Sequence, residues 1–198
     1  MREYILKRTG EEPDWDRIPV LKIDNQRGEN EDGVSAEAQL SWSDEAIHVR
    51  LTAHEKNIRC TLTEKTDPIW EDSCLEFFLR PTEDLHYFNF EFNLNCALYL
   101  GYETGKPDLT RLLVRDVDEL FRPHAERTED GWQITYRVPF VFIRRFFREF
   151  QPVSGLQFYG NLYKCGDRTE HPHYLTWNPV PAGRSFHSPE DYGRLILE

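Results

Sequence analysis

At 198 residues, with 39% hydrophobic and 14% aromatic residues scattered throughout, the chain suits one large β domain and is too apolar to be disordered throughout. Its formal charge of -11, from 35 acidic against 24 basic residues, repels a phosphate backbone, so nucleic acid is excluded as a natural partner and the charge reads as a solubility device. No apolar run approaches the ~18 residues of a membrane span.

The N-terminal MREYILKRTGEEPDWDR sets charges on both sides of a three-residue apolar patch and contains no signal-type hydrophobic region. As written, the sequence points to the cytoplasm, and to an extracellular protein if a leader was removed. A short first strand is expected at 20–23, followed by the polar, glycine-punctuated loop NQRGENEDGV. Ala36, Ala38, Leu40 and Trp42 then alternate with polar residues, as do Ile47, Val49, Leu51 and Ala53 across the turn Ser43-Asp44-Glu45, which predicts a β-hairpin.

In DPIWEDSCLEFFLRP a lone Trp70 in a Pro-flanked polar loop runs into an apolar strand carrying Glu76. Phe88, Phe90 and Phe92 share one strand face and Asn89, Glu91 and Asn93 the other, because successive side chains point to opposite sides of the pleat. Trp132, Ile134, Tyr136 and Val138 repeat the split after Glu129-Asp130-Gly131, and both strands read as having one buried side. The phenylalanines of 140–150, bracketed by Pro139 and Pro152, predict a helix. Leu156, Phe158, Gly160 and Leu162 oppose Gln157, Tyr159, Asn161 and Tyr163, and a last strand closes the chain near 194–197. Strands separated by turns, with hardly any helix, predict a single domain over 1–198: an all-β, antiparallel β-sandwich with one short helix.

Cys60, Cys74, Cys96 and Cys165 form no zinc-type spacing and read as small buried hydrophobes. Trp70 and Trp177 both stand in loops punctuated by proline and glycine. An arbitrary tryptophan is more often buried than displayed, yet a displayed one suits a sugar, whose rings carry apolar C–H faces within a belt of hydroxyls. Such a pocket needs aromatic plates and a few polar edge groups; the candidates are Glu71, Asp72, Glu76, Asn161 and Lys164. One alternative is a glycoside hydrolase drawing two carboxylates from Glu71, Asp72, Glu76 and Glu91, which would have to stand roughly 5–9 Å apart. Another is a protein-interaction sandwich without a sugar ligand. No G-x-S-x-G elbow occurs, and His171, His173 and His187 read as loop histidines, so no catalytic or metal-ligating residue is expected.

The blocks WEDSCLEFFLRP, HYFNFEFNLNCALY, FYGNLYKCGD, YLTWNPV and FHSPEDYGRLILE occur in the order seen in the family 9 carbohydrate-binding modules, and the resemblance runs from about residue 15 to the C-terminus. It implies a jelly-roll-like sandwich in which Trp70 and Trp177 clamp the terminal sugar of a β-linked glucan or xylan. Asp72, Glu76, Asn161 and Tyr163 would be its polar partners. Family sites also use arginine and glutamine on the sheet's polar face, where this chain offers Asn89, Glu91 and Asn93; that departure opens the ligand to other glycans. The resemblance further allows a structural calcium ion, for which Asp14, Asp16, Asp24, Glu29, Glu31 and Asp32 would supply oxygens, although a plain acidic surface loop is the favoured reading of these residues, which show no EF-hand spacing. The expected partner is an oligosaccharide or polysaccharide, and the expected state a monomer.

Overall fold

The computed structural model describes residues 1–105 and 109–198. In chain order its strands are β1 (Glu3–Arg8), β2 (Leu21–Ile23), β3 (Asn25–Gln26), β4 (Ser35–Trp42), β5 (Ala46–His54), β6 (Cys74–Arg80), β7 (Tyr87–Phe92), β8 (Leu98–Glu103), β9 (Thr110–Arg111), β10 (His124–Arg127), β11 (Gly131–Pro139), β12 (Gln157–Cys165), β13 (Tyr174–Thr176) and β14 (Gly193–Leu197). Two short helices, α1 (Val117–Phe121) and α2 (Phe140–Ile143), interrupt the series.

The strands form two facing layers. One runs β10-β11-β5-β4, with β2 on β4; the other runs β14-β12-β6-β7-β8-β9, with β13 on β12 and β3 on β13. The first strand joins them: residues 3–6 pair with β14 and residues 7–8 pair with β4. Both pairings are parallel, which corrects the expectation of a purely antiparallel sandwich. Antiparallel neighbours need only a hairpin, whereas parallel neighbours need a long return path; between β1 and β14 almost the whole chain supplies it.

The hairpin of β4 and β5 forms as its alternation requires, with Ser43 Oγ accepting from the backbone N–H of Ala46 at 3.2 Å in the turn. Its inward residues Leu40, Val49 and Leu51 meet Leu75, Phe77, Phe88 and Phe90 from the opposite layer, all at 0% exposure, and the core lies between. β1 was not foreseen, because EYILKR is short and charged at both ends; Tyr4 and Leu6 turn inward while Ile5 stays 51% exposed.

The helix expected over 140–150 is one turn, Phe140–Ile143, followed by tight turns that the Arg144 guanidinium closes by donating to Phe150 O at 3.2 Å. The phenylalanine spacing records packing onto the core, since Phe140, Phe142, Phe147 and Phe150 are buried without a continuous helix. A second helix, α1, starts where Asp116 accepts from the N–H of Glu119, a cap signal that the sequence carries. β6 and β7 are buried on both faces. The polar side of β7, Asn89 and Glu91, is therefore no solvated surface but the floor of a covered cavity.

A cavity floored by carboxylates and walled by aromatic rings

Alternation sends Leu75, Phe77, Phe88 and Phe90 into the core and the residues between them to the other face of the same layer. Register then lines up one row across four strands, Tyr163 opposite Glu76, Glu76 opposite Glu91, and Glu91 opposite Tyr99. Above this row opens a cavity of about 670 Å³, with Glu76, Asn89 and Glu91 among its lining residues.

Its walls are aromatic. Trp70, half-buried in a single turn of 3-10 helix, packs edge-on to Tyr99 with centroids 5.1 Å apart. Across the sheet Phe186 stacks on Tyr163 at 4.2 Å, with Tyr174 edge-on to it at 6.3 Å. His187 hydrogen-bonds with Glu103 Oε1 at 3.0 Å and with the Tyr87 hydroxyl at 2.9 Å.

The floor is rich in acceptors. Asn89 Nδ2 donates to Glu91 Oε1 at 2.8 Å, and the Cys165 thiol donates to Glu76 Oε1 at 2.7 Å. Asn89 Oδ1 and Glu91 Oε2 are buried without a hydrogen-bond partner. Burial pushes Glu76 up to about 7; the Cys165 hydrogen bond opposes the shift and the charge of Asp167 adds to it. Burial, then the charge of Glu76, holds Glu91 well above the usual carboxylate range. The two carboxyls rise side by side from one sheet face, opposite each other on neighbouring strands.

Of the six residues expected to bind ligand, Trp70 and Glu76 line this cavity. Trp177 does not. It is 3% exposed within the main core, its N–H donates to Leu162 O, and a Cβ at Gly193 would collide with its ring. The room left by that glycine draws the indole inward, so no clamp of two tryptophans exists. Asp72, at 0% exposure, is an anchor instead of an edge group: it accepts from the backbone N–H of Thr61 and Leu62 and from Asn93 Nδ2, and pairs with Arg59. Asn161 likewise pins a loop, donating to Asn178 O and accepting from Asn178 N–H. Tyr163 lies beneath Phe186 and donates to its carbonyl at 3.1 Å, supporting the wall from below.

Other candidates fall elsewhere. Lys164 points to the opposite face, where it meets Glu55 at 3.1 Å, and Glu71 pairs with Arg168. Of the three histidines only His187 lines the cavity; His171 meets Glu31, and His173 is buried against Lys164. Among the N-terminal acids, Asp14 meets Arg17, Asp24 meets Arg2, and Asp32 accepts from Asn57. Among the described residues, Cys74, Glu76 and Cys165 are the one trio with ligand atoms close enough to hold a metal ion, within 4.8 Å of one another. Burial pushes Cys74 up to about 12 although its hydrogen bond with Cys165 opposes the shift, and that hydrogen bond, then burial, holds Cys165 well above the usual thiol range, so both thiols stay protonated. Sequence reasoning missed Tyr99, Tyr174 and Phe186 as wall residues. The one available signal was that Phe186, like Trp70, is an aromatic stranded in a polar, proline-flanked loop.

The profile described as carbohydrate-binding family 9 matches residues 14–197. The chain belongs to that family. Family 9 is a family of carbohydrate-binding modules, and carbohydrate binding is the function this membership carries. A candidate carbohydrate-binding protein from Bacteroides uniformis ATCC 8492 shares the fold with a TM-score of 0.82 at 21% identity, over 100% of this chain and 99% of that one. Family 9 modules from Caldicellulosiruptor kristjanssonii, one in complex with glucose and one with cellotriose, each align with a TM-score of 0.69 at 13% identity, over 100% of this chain and 96% and 94% of theirs. No curated protein matches the chain at a significant level.

Proposed function

We propose that this family 9 module is a non-catalytic binder of β-linked oligo- or polysaccharide of the glucan or xylan type, holding a terminal sugar in the cavity above Glu76 and Glu91. One observation carries the reading. A cavity walled by Trp70, Tyr99 and Phe186 ends in a floor where Asn89 Oδ1 and Glu91 Oε2 lack donors. A pyranose meets both needs, its C–H face lying on an aromatic ring while its hydroxyls donate downward. Trp70 serves as one plate, and Phe186, braced on Tyr163, takes the place expected of Trp177. The glucose and cellotriose complexes of the Caldicellulosiruptor modules support a glucan-type ligand.

Calorimetry with cellotriose and xylotriose tests the proposal. Binding is expected to weaken by at least about tenfold in Trp70→Ala, a loss of about 1.4 kcal/mol, with the circular dichroism spectrum unchanged. Undiminished affinity in that variant would remove Trp70 from the site and the reading with it.

A further inference from the structure

The cavity floor is one-sided in charge. Among the described residues, Glu76, Glu91 and Asp167 line it against a single guanidinium, that of Arg27. Arg27 is already engaged, donating to Arg184 O at 2.8 Å and lying over the Phe186 ring at 5.6 Å. The charged neighbours that act on Glu91 are Glu76, Glu103 and Asp167, all negative. Lys164, the cation that acts on Glu76, stands on the far face of the sheet, held by Glu55.

The hydrogen-bond inventory leans the same way. Of the described side chains lining the cavity, those with a buried atom lacking a partner are Asn89 and Glu91, and in both the atom is an oxygen, an acceptor once Glu91 is ionised. Glu103 Oε2, behind His187 on β8, is a third such acceptor. Among the described residues, no lining side-chain nitrogen is buried without a partner. A neutral sugar hydroxyl brings one donor and no charge. An ammonium brings three donors, accepts nothing, and supplies the positive charge that two carboxyls facing each other across neighbouring strands lack. Left to themselves the two buried carboxyls hold on to protons; a cation set between them lets them ionise as paired charges, which a hydroxyl cannot do.

We propose that the cavity selects a sugar bearing a free amino group, of the β-linked glucosamine class, with its ammonium between Glu76 and Glu91 and its ring along Trp70. This rests on the sugar-binding reading above and narrows its ligand. A β-1,4-linked glucosamine disaccharide keeps the backbone geometry of cellobiose and exchanges hydroxyls for ammonium groups; its N-acetylated form keeps the nitrogen and removes the charge.

The test is calorimetric titration of the whole chain with these two disaccharides and cellobiose, from mildly acidic to neutral pH, so that the window in which the amine is protonated and Glu76 ionises is covered. The free amine is expected to bind at least about tenfold more tightly than cellobiose, with the N-acetylated form losing that advantage. In Glu91→Gln, and separately in Glu76→Gln, the ratio of the two affinities is expected to fall toward one; using two variants guards against either failing to fold. Cellobiose binding as tightly as the amine would overturn this inference and leave the sugar-binding reading standing. Failure of all three disaccharides to bind would overturn both.

Discussion

Replacing Trp177 by alanine opens a hole in the main core, because the ring packs against Gly193 at 3% exposure. Truncations of this kind cost about 3–5 kcal/mol, and at this size each kcal/mol lowers the melting temperature by about 2–4 °C. Thermal melts of Trp177→Ala and Trp70→Ala are therefore expected to separate clearly, with the first variant much the weaker; equal melting temperatures would return Trp177 to the surface. The sequence did not distinguish these two indoles. Both sit in proline-punctuated loops, and what decides between them is the space beside Gly193, sixteen positions further on, which only the folded chain brings alongside.

Glu76 and Glu91 carry a pH signature with a definite sign. Their folded-state pKa values are raised, Glu76 to about 7 from an ordinary 4.5, so the folded protein holds protons that the unfolded chain releases. The stability they contribute is full below pH 4.5 and is lost as pH rises, for Glu76 through about 7 and for Glu91 in the same direction. His48 and His173, lowered by burial, act in the opposite sense, gaining stability as pH rises toward 6.5. The readout is therefore the difference between wild type and the Glu76→Gln/Glu91→Gln double variant. Moving from pH 4.5 to 7.5 (about half a unit past the folded value of Glu76), wild type is expected to lose ground to the variant by roughly 1–3 kcal/mol. A flat difference in melting temperature would mean that the carboxyls are solvated.

At the scale of the element, β12 serves two sides of the sheet with adjacent residues. Tyr163 and Cys165 face the cavity, while Lys164 points into the interior and meets Glu55 at 3.1 Å. Glu55 also accepts from Trp132 Nε1 at 2.6 Å and from Ser73 Oγ at 3.0 Å, so one buried carboxylate ties together β11, β12 and the approach to β6. Breaking a buried pair from one side leaves a bare charge and costs about 3–5 kcal/mol. Lys164→Met alone is expected to lose that much in urea denaturation, and adding Glu55→Gln should recover part of it; no recovery would mean that the lysine acts by packing alone. Period-two alternation made β4, β5, β11 and β12 legible in the sequence, because each sets apolar residues consistently on one side. It misjudged β7, where alternation records two chemistries and not whether water reaches the second. The Lys164–Glu55 network escaped it as well, since charge at an inward position is what the pattern argues against.

At the scale of the whole molecule, the ordered motif blocks made the family readable, and register made the cavity, which no single block contains. The parallel placement of β1 was not readable, because nothing in EYILKR specifies partners almost two hundred positions away. That placement gives the domain a mechanical character. β1 and β14 lie side by side in the same direction over residues 3–6, and the N–H of Arg194 and of Glu198 donate to Arg2 O and Leu6 O at either end of the run. Tension applied to the two ends of the chain slides these strands along one another, so every rung resists at once. Tension applied at Met1 and Glu190 opens the same rungs one by one. Single-molecule stretching is expected to find a distinctly higher rupture force for the first geometry, and comparable forces would contradict it.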